Sequence, residues 1–161
     1  LSAAEQQLGV TVRVTLGAPT LRSPNRPGTP NADMKNTFLF SDLLPFDLNS
    51  PGQQAYLAAM ARYAPHIQPA DQNTAVQGWI LADLLINGLR ASGPCPTRTG
   101  FMIGLRSLAD YTAKGLLASR IDLYRNAGGE TNRCLVFLQV TPAGFVAQQP
   151  VPRCGSQLPA G

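Results

Sequence analysis

The sequence is short of charge. Of its 161 residues only 14% are Asp, Glu, Lys or Arg, well under the roughly one quarter usual in globular domains. With 44% hydrophobic residues the chain is nonetheless rich enough in apolar groups to fold. Its surface must therefore be built largely from Gln, Asn, Ser, Thr and Pro. Long apolar runs are also missing. The longest, Trp79 to Ile86, is interrupted by Asp83, and a membrane helix needs about 18 to 20 apolar residues. A helical membrane span is excluded. The chain has one His, one Trp and three Cys, with no C-x-x-C pair and no His spaced for a zinc site. No G-x-S-x-G, G-x-G-x-x-G or Walker sequence is present, so neither a cofactor nor a metal is expected.

What is present first concerns the start of the chain. Leu-Ser-Ala-Ala-Glu-Gln-Gln contains no Met, no signal peptide and no helix-start residues. It reads as the tail of a helix, Ala3 to Leu8, stopped by Gly9. The expectation is a piece of a longer protein. Net charge is +4, but the thirteen basic residues are spread evenly from Arg13 to Arg153 without a run or aromatic interleaving. That pattern argues against nucleic acid as a partner.

Val10, Val12 and Val14 alternate with polar residues as in a half-exposed strand. From Gly17 to Pro30 four prolines exclude helix and central strand, leaving a long surface loop. A second strand is expected over Asn36–Leu44, ended by Pro45. Three helices follow. Ser50-Pro51 is an N-cap with Pro at the first helical position and launches Gln53–Ala64, with Tyr56, Met60 and Tyr63 inward. A second helix, from about Ala70 to Ser92, places Ala75, Trp79, Ala82, Ile86 and Leu89 on one apolar face. Val76, Ile80 and Leu84 widen that face. Its polar stripe, Asp83, Asn87 and Arg90, is narrow. The third helix starts at Thr97, turns Phe101, Met102, Leu105 and Leu108 inward and ends near Asp110. Tyr111 to Gly129 reads as irregular. Mixed strands and helices with a late hairpin make the class α/β.

The late cysteines are informative. Cys134 opens the apolar strand Cys134–Val140, Thr141–Gly144 is turn chemistry, and Phe145–Ala147 resumes a strand. Cys134 and Cys154 each lie ten residues from Gly144, so a hairpin centred there sets them opposite one another. Two readings follow: a disulfide, which points to an exported protein, or two unrelated buried thiols. The disulfide is favoured. Pro150 and Pro152 prevent a regular ladder between them. Cys95 is left over.

Candidate chemistry is sparse. His66 sits in a helix-to-helix loop without a partner, and Cys95 lies in Gly-Pro-Cys-Pro before a helix start, where a thiol can be activated but has no base nearby. Asp42 and Asp47 form a possible carboxylate pair that turn and cap roles explain equally well. Trp79, Tyr56, Tyr63, Phe101 and Phe137 are expected in the core. No enzyme is expected from these residues.

Larger blocks carry a resemblance. Ser50–Pro65 is followed by Val76–Leu89, then Gly93–Leu108, then Asp110–Leu117 with Thr112-Ala-Lys-Gly115. In order and spacing these blocks resemble the C-terminal part of type I periplasmic solute-binding proteins, the branched-chain amino acid receptor family of ABC importers. The paired late cysteines are similar to those of secreted actinobacterial members. The resemblance implies two Rossmann-like lobes joined by crossing strands, with solute held in the cleft between them. This chain would cover part of both lobes, with 1–44 ending one lobe through a Pro-rich loop and a crossover strand. Residues 45–161 would supply the helices and hairpin that complete the lobes. It further implies an extracytoplasmic receptor that delivers an amino acid or related solute to an ABC permease. A lipid anchor on an upstream segment is compatible with this reading. The family's Ser/Thr motif for the ligand's α-amino and carboxylate groups has no counterpart here. Strand ends that would face the cleft are Thr20 and Leu21 after the first strand and Ser41 and Asp42 after the second. The competing expectation is a structural or protein-interaction module of the same fold without a small-molecule cleft.

Overall fold

The computed structural model of the chain describes residues 7–9, 14–17, 37–127, 132–141 and 144–156. The expected Ala3–Leu8 helix, most of the first strand, the Pro-rich loop and the hairpin turn at 142–143 lie wholly or mainly outside them. The sheet runs in the order β1 (Thr15–Gly17), β2 (Thr37–Ser41), β3 (Cys134–Thr141) and β4 (Gly144–Ala147). β1 pairs with β2 in parallel; the other neighbours are antiparallel. A short β5 (Arg153–Cys154) pairs with the start of β3.

Every second residue of the two central strands leaves solvent, as a half-covered sheet requires. The buried positions are Thr37, Leu39 and Ser41 on β2 and Val136, Leu138 and Val140 on β3. Leu39 lies opposite Leu138 and Ser41 opposite Val136, so all six share one face. Ala118, Leu44, Phe145, Ala147 and Val151 complete this sheet core.

The helical core is separate. α1 (Pro51–Tyr63) starts with the capping box expected for Ser-x-x-Gln. The Ser50 hydroxyl accepts from the Gln53 amide at 3.3 Å, and the Gln53 side-chain oxygen accepts from the Ser50 amide at 2.9 Å. Tyr56 and Met60 point inward, and Trp79 of α2 (Asn73–Ala91) meets the Tyr56 ring edge-on at 5.4 Å. Leu43, Val76, Ile80, Tyr111, Leu116 and Leu117 fill the remainder. α3 (Arg98–Arg106), capped by Thr97, packs its Phe101 ring onto Gly88, where a side chain would collide with the ring. A short α4 (Leu123–Ala127) leads towards β3.

Five expectations need correction. Met102, expected inward, is exposed, because α3 meets α2 through Phe101 on Gly88 and Gly104 on Ala91, and Met102 falls off that face. Tyr63, expected inward, is 71% exposed because it falls in the last turn of α1, where the Arg62 guanidinium covers its ring at 5.1 Å. α2 starts at Asn73 rather than Ala70, since the Ala70 carbonyl accepts a 2.6 Å bond from the Tyr56 hydroxyl and is not free to begin a helix. α3 ends at Arg106, because Tyr111 leaves the helical path to pair with Ile121. The largest correction is the orientation of α2. Asp83 and Asn87, expected on the solvent stripe, are turned inward, while Leu81, Leu85, Ile86 and Leu89 are exposed.

The hairpin joins Cys134 to Cys154 in a disulfide, but not by simple symmetry about Gly144. β3 and β4 pair Thr141 with Gly144 and Leu138 with Ala147, a register that would set Val151 against Cys134. Cys154 faces it instead. The Pro150–Pro152 segment, unable to donate ladder bonds, takes up the three-residue slip between the two registers.

Candidate functional site

Among the described residues the two cores meet at a narrow seam. Asp42–Leu44 and Leu116–Ala118 pair as a two-stranded ribbon: the Leu44 amide donates to the Leu116 carbonyl at 2.9 Å and the Ala118 amide to the Asp42 carbonyl at 2.7 Å. Side chains on a strand alternate between faces, and the ribbon uses both. Leu43 and Leu117, directly opposed, enter the helical core. Leu44 and Ala118, each one residue further on, pack on the sheet core.

Both strands are fastened to the helices. Gln53 is fully buried, and its side-chain amide donates to the carbonyls of Leu44 and Pro45 at 3.0 and 2.9 Å. Two of its bonds thus hold the end of the first strand against α1, and the other two close the capping box with Ser50. The second strand is preceded by a turn whose Lys114 carbonyl lies directly over Gly52, leaving no room for a Cβ there. Asp83 of α2 reaches the same turn. Its carboxylate pairs with the Lys114 ammonium at 3.0 Å and accepts from the Tyr111 hydroxyl and the Asn87 amide at 3.1 Å. Burial, and then the bond to Asp83, raise the Tyr111 phenol above its ordinary range. Burial, with a smaller contribution from the Asp71 charge, raises that of Tyr56.

Beside the ribbon, at the C-terminal end of β2, is a cavity of about 110 Å³. Its apolar wall comes from both cores: Leu43 and Phe46 from the helical side, Leu44, Leu138 and Phe145 from the sheet side. Ser41, Asp47, Asp71 and Gln72 supply polar groups. An apolar pocket with a few convergent polar groups at a strand's carboxyl end is where α/β folds bind small molecules. A larger hollow of about 870 Å³ lies under the disulfide, lined by Leu117–Asp122, Arg125, Asn132 and the two bridged cysteines. It too takes lining from both cores, Leu117 and Ile121 from the helical one and Ala118 from the sheet one, but it is wide open to solvent and edged by Ser119, Arg120, Asp122, Arg125 and Asn132.

Of the residues expected to face a cleft, Ser41 lines the smaller cavity, with its hydroxyl accepting from the Leu43 amide at 3.0 Å. Asp42 is exposed and contributes its carbonyl to the ribbon, not its carboxylate to the cavity. Thr20 and Leu21 lie outside the described residues. Asp47, exposed on the turn Phe46–Leu48, reaches the cavity rim without Asp42. His66 and Cys95 are exposed and are not among its lining residues. Among the described residues no group of three His, Cys, Asp or Glu is placed to hold a metal, and no helix is long and apolar enough to cross a membrane. Gln53 and Asp83 escaped the sequence reading as anchors. For Gln53 the signal was available, in the Ser-x-x-Gln spacing of a capping box.

The sequence profile of the periplasmic binding protein family matches residues 1–145. No curated protein sequence matches the chain. Among solved structures, it is similar to a fatty acid ABC transporter substrate-binding protein from Thermomonospora curvata, with a TM-score of 0.67 and 17% identity over 96% of this chain and 40% of that one. It is also similar to a branched-chain amino acid ABC transporter from Thermus thermophilus with bound valine. There the TM-score is 0.71 and the identity 12%, over 96% of this chain and 42% of the other. The chain thus spans about two-fifths of the length of these structures. Their likeness extends to the fold, a type I periplasmic binding protein fold of mixed strands and helices, as the sequence resemblance implied.

Proposed function

Because the chain belongs to the periplasmic binding protein family, we propose that it is part of an extracytoplasmic receptor that closes around a small solute and hands it to an ABC permease. The observation that carries this reading is the seam: two separate hydrophobic cores share a single ribbon, and a cavity walled by both lies beside it. Two bodies joined in this way can open and close by small backbone changes at the ribbon. A solute touching both walls favours the closed form through its extra contacts there. The helical body and the sheet body then contribute to different lobes, and the crossover near Leu44 is the first boundary between them. The exposed apolar side of α2, with Leu81 and Leu85, supports a further layer of the same receptor packed on it.

The solute in this proposal is an amino acid or a related compound with an apolar side chain. Leu43, Leu44, Phe46, Leu138 and Phe145 favour an apolar group, and the polar rim of Ser41, Asp47, Asp71 and Gln72 favours a polar end. A fatty acid is the second reading, since the same apolar wall suits an alkyl chain. The competing module reading would keep the fold without a solute. Thermal unfolding of the full-length protein against a panel of amino acids, amides and fatty acids separates the three. A true solute at 100 times its Kd stabilises by roughly 2.7 kcal/mol. No shift with any member of the panel contradicts the receptor reading.

A further inference from the structure

Asp83 stands out because it breaks the pattern of its own helix. Its side chain is 11% exposed, while apolar Leu81 and Leu85 on α2 are 66% and 53% exposed. A carboxylate turned inward in this way needs partners for both oxygens, and it has them: Lys114 on one, Tyr111 and Asn87 on the other. Two of those partners belong to the segment that becomes the ribbon's second strand. Within that segment Ala113 and Lys114 are consecutive non-glycine residues in the left-handed region, at φ 48° and 56°, and Gly115 follows at 89°. Such backbone persists only where its surroundings over-determine it. Here the surroundings are the Asp83–Lys114 ion pair, the Tyr111 hydroxyl donating to Asp83, and the seat of the Lys114 carbonyl on Gly52.

The location gives this strained turn leverage. Only Gly115 separates it from Leu116, whose carbonyl holds the first strand of the ribbon, and Ala118 two residues later is already in the sheet core. A change of φ or ψ at Lys114 therefore swings the strand that carries the sheet body. We propose that Asp83 is a positioning residue for closure: through Lys114 and Tyr111 it holds the left-handed turn in place, and so fixes the angle between the helical and sheet bodies. The word closure rests on the receptor reading above; the angular control does not. Asp83 touches no solute in this account. It acts through the turn, and its loss loosens the relative orientation of the two bodies while leaving each intact.

The test is a distance measurement between the bodies in the full-length protein without solute. Maleimide spin labels are placed at Arg62→Cys on α1 and Val146→Cys on β4, both exposed positions, in a Cys95→Ser background. Asp83→Asn and Lys114→Met are each expected to broaden the distance distribution about twofold, as a loosened hinge would. Arg120→Ala, which removes the exposed pair with Asp110, is expected to leave it unchanged. A purely structural role would lower Tm without changing the width. Lys114→Met keeps the bonds from Tyr111 and Asn87 to Asp83, so it serves if Asp83→Asn does not fold. Unchanged widths in folded variants, judged by native near-ultraviolet circular dichroism, overturn the proposal. Because no solute is present, a silent solute panel contradicts the receptor reading alone, and an unchanged width contradicts the Asp83 proposal alone.

Discussion

The helical body and the sheet body are held together by different means. In the helical body, neighbours in sequence do most of the organising. Ser50 caps the helix that contains Gln53 and Tyr56, Thr97 caps α3, and Tyr56, Met60, Val76 and Ile80 recur at helical spacing. In the sheet body, the partners are far apart in sequence. Leu39 meets Leu138, and Cys134 is covalently tied to Cys154 across a three-residue slip. One body is therefore assembled from local signals and sealed by packing; the other depends on register and a covalent clip. Residues that belong to both bodies, the ribbon and its anchors, are where a single substitution should be felt on both sides.

That contrast can be broken deliberately, and hydrogen exchange read by mass spectrometry over residues 51–91 and 134–147 separates the two bodies. The largest effect is expected from Tyr56→Ala. It empties the centre of the helical core and should cost about 4 kcal/mol, with faster exchange in 51–91 and little change in 134–147. Next is the double substitution Cys134→Ser and Cys154→Ser. Opening that link should cost about 3 kcal/mol in the chain-entropy model and accelerate exchange in 134–147 only. Gln53→Ala should cost about 2 kcal/mol by orphaning the carbonyls of Leu44 and Pro45, and both segments should respond. If it affects only 51–91, the ribbon does not couple the bodies.

The smallest expected effect is of pH. The phenols of Tyr56 and Tyr111 are raised by burial in the folded protein, whereas unfolded tyrosines ionise at about 10. Above that value the unfolded chain binds fewer protons than the folded one, so stability falls as pH rises. It is fully present below pH of about 10 and is lost upward from there. Both phenols lie in the helical body, and β3, β4 and β5 contain no tyrosine. Urea midpoints followed by Trp79 fluorescence should drop between pH 9 and 11. A constant midpoint would contradict the burial of the two phenols.

How much of this was legible in the sequence follows the same division. Helix starts at Ser50 and Thr97 were readable because capping is decided within four residues. The fold class was readable from mixed periodicities, and the family from the order of the blocks after Ser50. The ribbon was not. Asp42–Leu44 and Leu116–Ala118 are three-residue segments more than 70 residues apart, too short to show a period. The inward turn of Asp83 was hidden for a related reason. Hydrophobic patterning reads α2 as though everything apolar must face one core, and here the carboxylate is satisfied by a distant turn while Leu81 and Leu85 face outward. The cysteine link was readable in its partners but not in its register, which the Pro150–Pro152 segment sets.

The central claim is that one ribbon is the structural seam of both bodies, and its own amides test it most directly. Residue-resolved hydrogen exchange should find the Leu44 and Ala118 amides among the slowest in the protein. Gln53→Ala should accelerate both together, although the Gln53 side-chain amide bonds the carbonyls of Leu44 and Pro45 and the Ala118 amide bonds that of Asp42, so that the effect reaches Ala118 through the ribbon. Fast, surface-like exchange at Leu44 and Ala118, or acceleration of Leu44 alone, would contradict it.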